Sequence, residues 1–484
     1  VEILEYIYKS AEKFPDKKAL MYKDYKLSYK QFVNEFNSIG EKIEQDISDF
    51  SYPIGIYIKN HPDFIISYYA LIKAKKVAHL VDHKWRENEL DNLIKHVHLG
   101  GFIVRTEEID DFPLVEKIKH IYKYGNISLI ILQQKYLSNE IATERLKNII
   151  SCRYSSGTTG IPKCMMYEER NVIAASTNWL ESVNLNSNDI VYCAAYLTHG
   201  LAFNTSILAP LRVGATILLH DNITPRKVVE IILDKKPTIF VAFPVLYDLM
   251  TRIKNVKQFK NVRMCVSSGT ILHESIKRKF NRLFGINISD LYGVAETGLS
   301  ILNQTDDYNS VGYPLHNVKV KILGKDGEEL QKGEVGEVAL YTESRAKGYY
   351  NLPGELEKRL SQSYYLTGDL GEMGLDGKVY IKGRKSDVVD VAGKKVDPVE
   401  VEDVLRKHPE IYDVSVFGKK NLEKRTEILA AVVVANDYLK RETVVKFCEE
   451  RLVSYKIPQI VKFVSAIPRN NNGKVLKNEL QNLV

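Results

Sequence analysis

The sequence predicts an α/β protein with an antiparallel β subdomain, built as a large N-terminal domain of sheets sandwiched by helices and a small α+β C-terminal domain. Three observations carry this expectation. The first half alternates strand-like and helix-like segments; residues 310–384 switch to short strands punctuated by glycine turns; and the last hundred or so residues return to alternation.

Each element follows from its spacing. The opening Val1-Glu-Ile-Leu-Glu-Tyr-Ile-Tyr-Lys-Ser reads as an amphipathic helix, with acidic residues where a secretory leader would carry positive charge. Ile54-Gly-Ile-Tyr-Ile58, an apolar-periodic stretch over 63–73, and Val77-Ala-His-Leu-Val81 form a strand, helix and strand, the signature of a largely parallel sheet covered by helices. The pattern repeats at Thr216-Ile-Leu-Leu-His220, a helix over 227–233, and Thr238-Ile-Phe-Val-Ala242. Strands are expected at 318–323, 336–340, 368–372 and 378–381, with turns at Lys325-Asp-Gly327 and Asp376-Gly377. Helices at 398–407 and 441–452 and strands at 413–417 and 429–434 complete the tail. The expected organisation is a domain over 1–384, whose antiparallel subdomain is 310–384, a pivot at 385–386, and a second domain over 387–484.

Composition narrows the function. The 484 residues are 44% hydrophobic and 27% charged, enough apolar material for sizeable cores. The net charge of +7 is a small surplus of 68 basic over 61 acidic residues, and residues 386–484 hold 17 of the former and 15 of the latter, so no basic stripe suggests nucleic acid. No apolar run nears the ~18 residues that span a bilayer. The five cysteines are dispersed, without metal-ligand spacing, as expected of reduced thiols in a cytoplasmic enzyme. Nothing in the sequence specifies an oligomeric state.

The most informative stretch is Tyr154-Ser-Ser-Gly-Thr-Thr-Gly-Ile-Pro-Lys163. Its glycines let backbone N–H groups approach phosphate oxygens, Ser155, Ser156, Thr158 and Thr159 add hydroxyl donors, and Lys163 adds charge. It is not the kinase and ATPase P-loop, which places Lys immediately before Ser or Thr; here Ile161-Pro162 intervene and Cys164 follows.

Further motifs follow in order: Tyr292-Gly-Val-Ala-Glu-Thr-Gly298, Gly333-Glu-Val-Gly-Glu337, Gly348-Tyr-Tyr350, Tyr365-Leu-Thr-Gly-Asp369, Gly383-Arg384, Gly393-Lys-Lys-Val-Asp-Pro-Val-Glu400 and Pro468-Arg-Asn-Asn-Asn-Gly-Lys474. With the loop they run over nearly the whole chain, which thereby resembles the acyl-adenylating, AMP-forming superfamily of acyl-CoA synthetases, aryl-acid ligases, peptide-synthetase adenylation domains and luciferases. The resemblance implies two half-reactions. A carboxylate and ATP give acyl-AMP and pyrophosphate, and a thiol then displaces AMP.

The same resemblance implies the site. Lys474 is the expected catalytic cation of adenylation; Ser155, Ser156, Gly157, Thr158, Thr159, Gly160 and Lys163 grip the ATP phosphates; Glu296 holds Mg²⁺. Tyr292 would stack on adenine, while Asp369 and Arg384 address the ribose or its phosphate. His199, Val241, Phe243, Ser268 and Gly269 would line the acyl pocket. The small domain would swing about Lys385 and Ser386 so that the thiol can enter.

Two positions depart from the family pattern: Ser386, where the pivot is usually Asp or Lys, and Ala295, where most relatives have Thr. Ala-Glu is similar to aryl-acid ligases and keeps an aromatic acid in view. Tyr196-Leu-Thr-His-Gly-Leu-Ala202 lacks the Asp that binds an amino acid's ammonium group. The expectation is therefore an acyl-CoA synthetase for a non-amino acyl or aryl acid, requiring ATP, Mg²⁺ and CoA. The alternatives are a stand-alone ligase charging the phosphopantetheine of a carrier protein, although no carrier domain follows Val484, and a non-catalytic adenylate-binding scaffold.

Overall fold

The computed structural model describes residues 1–137, 143–155, 162–221, 223–270, 272–391, 394–421, 426–469 and 475–484. Among these residues two large sheets dominate the first three hundred positions. In the nine-stranded sheet, Thr216–Leu219, Ile190–Cys193, Ile239–Ala242, Met264–Ser267 and Ile288–Val294 run parallel. The eight-stranded sheet has a parallel centre of Ala78–Leu80, Ile54–Ile56, Gly101–Arg105 and Ile149–Ser155, flanked by antiparallel strands. Parallel strands need both faces covered, and Ile239–Ala242 at the centre of the nine-stranded sheet is apolar with all four residues buried.

The helix Pro62–Lys73 shows the same logic. Eleven of its twelve residues are buried, with Pro62 at its first turn and the His61 imidazole accepting from the Asp63 N–H. It packs between the sheets, where Tyr68 meets Phe203 edge-on at 4.9 Å. The helix Glu2–Lys13 is amphipathic, burying Ile3, Leu4 and Ile7.

Lys319–Leu323, Gly336–Tyr341, Tyr364–Met373 and Val379–Arg384, with the short Leu360–Ser361, form a five-stranded antiparallel sheet, while Tyr313–Pro314 joins the nine-stranded sheet and Gly348–Tyr349 the eight-stranded one. The third of these is longer than the sequence predicts because it starts before the Thr-Gly pair, at Tyr364. Beyond it, Val389–Val391 pairs with Lys394–Val396, and a three-stranded sheet of Ile411–Asn421, Thr426–Ala435 and Ile460–Phe463 packs on helices Pro398–Leu405 and Arg441–Glu449. This tail has its own core, centred on Val401, Leu405, Val414, Val433 and Val444. Among the described residues, contacts with the preceding part include His273 Nδ1, 2.9 Å from Asp403, and the Asp397 carboxylate, which a Cβ on Gly383 would meet at 2.7 Å.

Candidate active site

Strand Ile149–Ser155 and its antiparallel partner Lys163–Glu168 enclose the hydroxyl-rich segment, with Ser155 opposite Lys163 and Tyr154 opposite Cys164. Ser156, Gly157, Thr158, Thr159 and Gly160 lie outside the described residues, as does Lys474. The bases of both segments are defined. Arg469 bridges to Val475 on either side of 470–474, and its guanidinium bonds both Asp413 oxygens at 3.0 and 2.9 Å.

The three residues expected at adenosine come together from three strands. Asp369 and Arg384 are directly opposite in the antiparallel ladder, and Arg384 Nε lies 2.8 Å from Asp369 Oδ1. From the nine-stranded sheet the Tyr292 hydroxyl donates to the other oxygen, Oδ2, at 2.6 Å. Burial pushes the Asp369 carboxyl up, against the opposing pull of Arg384 and the Tyr292 hydroxyl. The carboxylate is thus held in a fixed orientation by two donors, with Arg384 half exposed at the rim.

Glu296 and Lys163 also converge, through a residue to which the sequence assigned no role. The Tyr349 hydroxyl donates to Glu296 Oε1 at 2.6 Å, while the Lys163 ammonium stands 5.3 Å from the Tyr349 ring centre. Tyr349 is placed by the short strand Gly348–Tyr349, which pairs with Met165 and Met166. The Glu296 backbone is fixed separately, its carbonyl accepting from the Ala346 N–H at 2.7 Å. A carboxylate with an oxygen to spare, next to a lysine at the exit of the phosphate-loop segment, suits a hard cation bridging phosphates.

Several of the residues expected around the acyl group gather near His199. Asn60 braces the preceding turn, donating to the Ala195 carbonyl at 2.8 Å and accepting from the Leu197 N–H at 3.1 Å. His199 then caps a helical run that passes through a π-helical stretch, Phe203–Leu208, a distortion common at functional sites. The His199 Nδ1 accepts from the Leu201 N–H, so a neutral ring carries its proton on Nε2. Burial, and then the Arg153 charge, push this imidazole down to about 4. Its ring meets Phe243 edge-on at 5.0 Å, and Gly269, at φ +101°, brings its backbone against the same phenyl ring. Val241 and Ser268 are buried in or beside neighbouring strands. Lys385 and Ser386 occupy the turn after Val379–Arg384. There the Lys385 ammonium pairs with Glu337 at 2.7 Å, and the Ser386 hydroxyl donates to Asp387 at 3.3 Å.

Sequence reasoning missed the two faces of strand Ile149–Ser155. On one, Cys152 joins His79 and Cys164 in a buried group whose ligand-type atoms lie within 4.8 Å of one another, a proximity created by strand pairing and invisible in sequence spacing. Burial opposes ionisation there, but hydrogen bonds from Cys152 and His79 bring Cys164 down to about 6. On the other face lies Arg153, 4% exposed, between the rings of Tyr167 and Phe203. Its signal was legible: an arginine inside an otherwise apolar strand just ahead of the loop.

Residues 7–350 match the family described as AMP-binding enzyme, and residues 400–474 match the AMP-binding enzyme C-terminal domain. The chain is 27% identical over 482 residues to an uncharacterized acyl-CoA ligase, YtcI, of Bacillus subtilis, a match covering 94% of this chain and 90% of that protein. It is 28% identical over 342 residues to the 3-hydroxybenzoate-CoA ligase of an Aromatoleum species, covering 68% and 65%. The fold is that of ATP-bound MatB from Rhodopseudomonas palustris, with a TM-score of 0.86 at 20% identity over 99% of this chain and 98% of the other.

Proposed function

The chain belongs to the AMP-binding enzyme family and is an ATP-dependent, AMP-forming acid–thiol ligase, and from that premise we propose that its substrates are a non-amino acyl or aryl carboxylic acid and CoA. The acid would be converted with MgATP to acyl-AMP and pyrophosphate, and the acyl group then passed to the CoA thiol. The carrying observation is the Asp369 carboxylate, fixed by Arg384 and Tyr292 at the edge where the two sheet systems meet. Two acceptor oxygens held in this way suit the paired hydroxyls of a ribose.

In this reading Ser155, Ser156, Gly157, Thr158, Thr159, Gly160 and Lys163 hold the phosphates, and Tyr292 flanks adenine. Glu296 would hold Mg²⁺, which neutralises phosphate charge when bound. Lys474 stabilises the charge that shifts from the attacking carboxylate to the α-phosphate. The group of His199, Val241, Phe243, Ser268 and Gly269 takes the acyl chain, its neutral imidazole presenting an N–H. The unit over 387–484 pivots at Lys385 and Ser386 between the two half-reactions.

Pyrophosphate exchange into ATP across a panel of carboxylic acids tests the first half-reaction. Exchange that depends on one class of acid is expected, and silence across the whole panel would leave only an adenylate-binding scaffold. Trapping the thioester on CoA, against a phosphopantetheinylated carrier protein, tests the acceptor. Acylation of the carrier alone would replace CoA in this reading.

A further inference from the structure

Arg153 is a buried cation with its donors largely unspent. Among the described residues its guanidinium makes one weak hydrogen bond, from Nη1 to Asn204 Oδ1 at 3.4 Å, and its Nε is buried without a partner. The Asn204 amide nitrogen beside it is likewise buried and unpartnered. No described carboxylate forms a salt bridge with it. The Tyr167 and Phe203 rings lie 4.1 and 4.8 Å away and stabilise the cation through their faces, but they accept none of its in-plane hydrogen bonds. A guanidinium does not shed its proton inside a protein, and a buried charge without a counter-charge is expensive. The arrangement lacks an anion.

Its position says which anion. A Cβ on Gly200 would lie 3.5 Å from Arg153 Nη1. Gly200 follows His199, and the Arg153 charge acts on that imidazole, so the cation stands beside His199. Arg153 is also two residues upstream of Ser155, where the phosphate segment begins. Resting on the ligase reading above, we propose that Arg153 is the receptor for a carboxylate of the acid substrate, with the Asn204 amide as a second donor. That carboxylate has two possible sources. It is the reacting group, held for attack on the α-phosphate, or a second acid group on the acyl chain, in which case the preferred substrates are dicarboxylic.

Matched acids separate the sources: hexanoate against adipate, and benzoate against isophthalate, in pyrophosphate exchange by wild type, R153M and R153K. We expect R153M to raise the KM for the preferred acid by about tenfold or more, the usual worth of a charge-assisted hydrogen bond. The KM for ATP should stay unchanged, with R153K restoring part of the loss. If the reacting carboxylate is bound, both members of each pair lose equally; if a second carboxylate is bound, the loss is confined to the diacids. N204L, which keeps the guanidinium and removes the proposed second donor, should raise the acid KM in the same direction should R153M fail to fold. An unchanged acid KM in folded R153M or N204L overturns the proposal. If no acid supports exchange in wild type, the ligase reading fails separately. Thermal stabilisation of the wild-type chain by the same four acids then decides: stabilisation lost in R153M or N204L sustains the receptor, and its absence in wild type refutes it.

Discussion

The nucleotide side and the acyl side of the site handle buried charge in opposite ways. Around Asp369 and Glu296 each carboxylate already has partners within the chain: Arg384 and Tyr292 for one, Tyr349 for the other. Around Arg153 and Asn204 the donors point at little. A network satisfied in advance is rigid, and a ligand entering it exchanges bonds, so affinity there comes from geometry already in place. A network left open gains its missing bonds only from the ligand, and there the chemistry of the ligand is selected. On the proposed reading, ATP, the invariant substrate, would meet the closed network, and the variable acid would meet the open one.

The largest expected effect belongs to a group in neither network. Lys474→Ala should cut acid-dependent pyrophosphate exchange by on the order of 10²–10³, the worth of one preorganised transition-state donor. Thiolysis of supplied acyl-AMP should survive, since the proposed role of Lys474 is confined to the adenylating pose. Equal loss in both half-reactions would place Lys474 in a shared structural role and leave the two sides without the division of labour drawn above.

Asp369→Asn sharpens the contrast at the next level. It removes the charge that Arg384 faces and one ribose acceptor, so the KM for ATP should rise about ten- to hundredfold. The ranking of acids should stay as in wild type. A reordered ranking would mean that the two networks communicate.

Most of the fold was readable because it rests on periodicity. The strands at 54, 78, 216 and 239 and the helices at 62, 225 and 398 lie within a few residues of where apolar spacing put them, since burial on both faces writes itself into local sequence. The Asp369–Arg384 pairing was legible as two motifs but not as a contact, because the register of a ladder depends on the turn between its strands. The Glu296–Tyr349 bond and the His79, Cys152 and Cys164 group were illegible for a related reason: sheet order joins residues 53 positions apart in the first and brings His79, 73 positions before Cys152, onto a cysteine hairpin in the second, which no local pattern encodes. Arg153 was visible and went unweighed, because its meaning comes from partners it lacks.

His199 offers a smaller test. Its folded pKa is lowered to about 4 by burial and by Arg153, while an unfolded chain returns it to the usual value near 6.5. As pH falls through 6.5 the unfolded chain takes up the proton first, so the contribution to stability is complete above 6.5 and is lost progressively toward 4. Chemical denaturation at pH 7.5 and 5 should show wild type losing on the order of 2 kcal/mol more than His199→Gln. The same pH slope in both proteins would mean that the imidazole titrates normally, and the acyl side would then be less enclosed than its contacts indicate.

The smallest expected effect separates an unspent charge that serves a ligand from a raised charge that serves only as a helix cap. Asp397 caps helix Pro398–Leu405 by accepting from the Val399 N–H, and it stands against Gly383, beside the nucleotide network. Burial pushes its carboxyl up to about 6, and neighbouring Glu400, Asp403 and Asp387 add to the rise. An acid whose pKa is raised on folding costs stability above its folded value, and the cost disappears as pH falls toward the unfolded value near 3.8. Asp397→Asn keeps a capping oxygen and removes the charge, so it should stabilise the tail by on the order of 1 kcal/mol at pH 7.5 after allowance for solvent screening, and by nothing near pH 4. Thermal melts at the two pH values measure this. Arg153→Met, in contrast, should affect acid affinity far more than it affects the melting temperature of the ligand-free chain. If Asp397→Asn instead weakened ATP binding, the carboxylate at Gly383 would belong to the nucleotide network, which would then extend across the pivot into the tail.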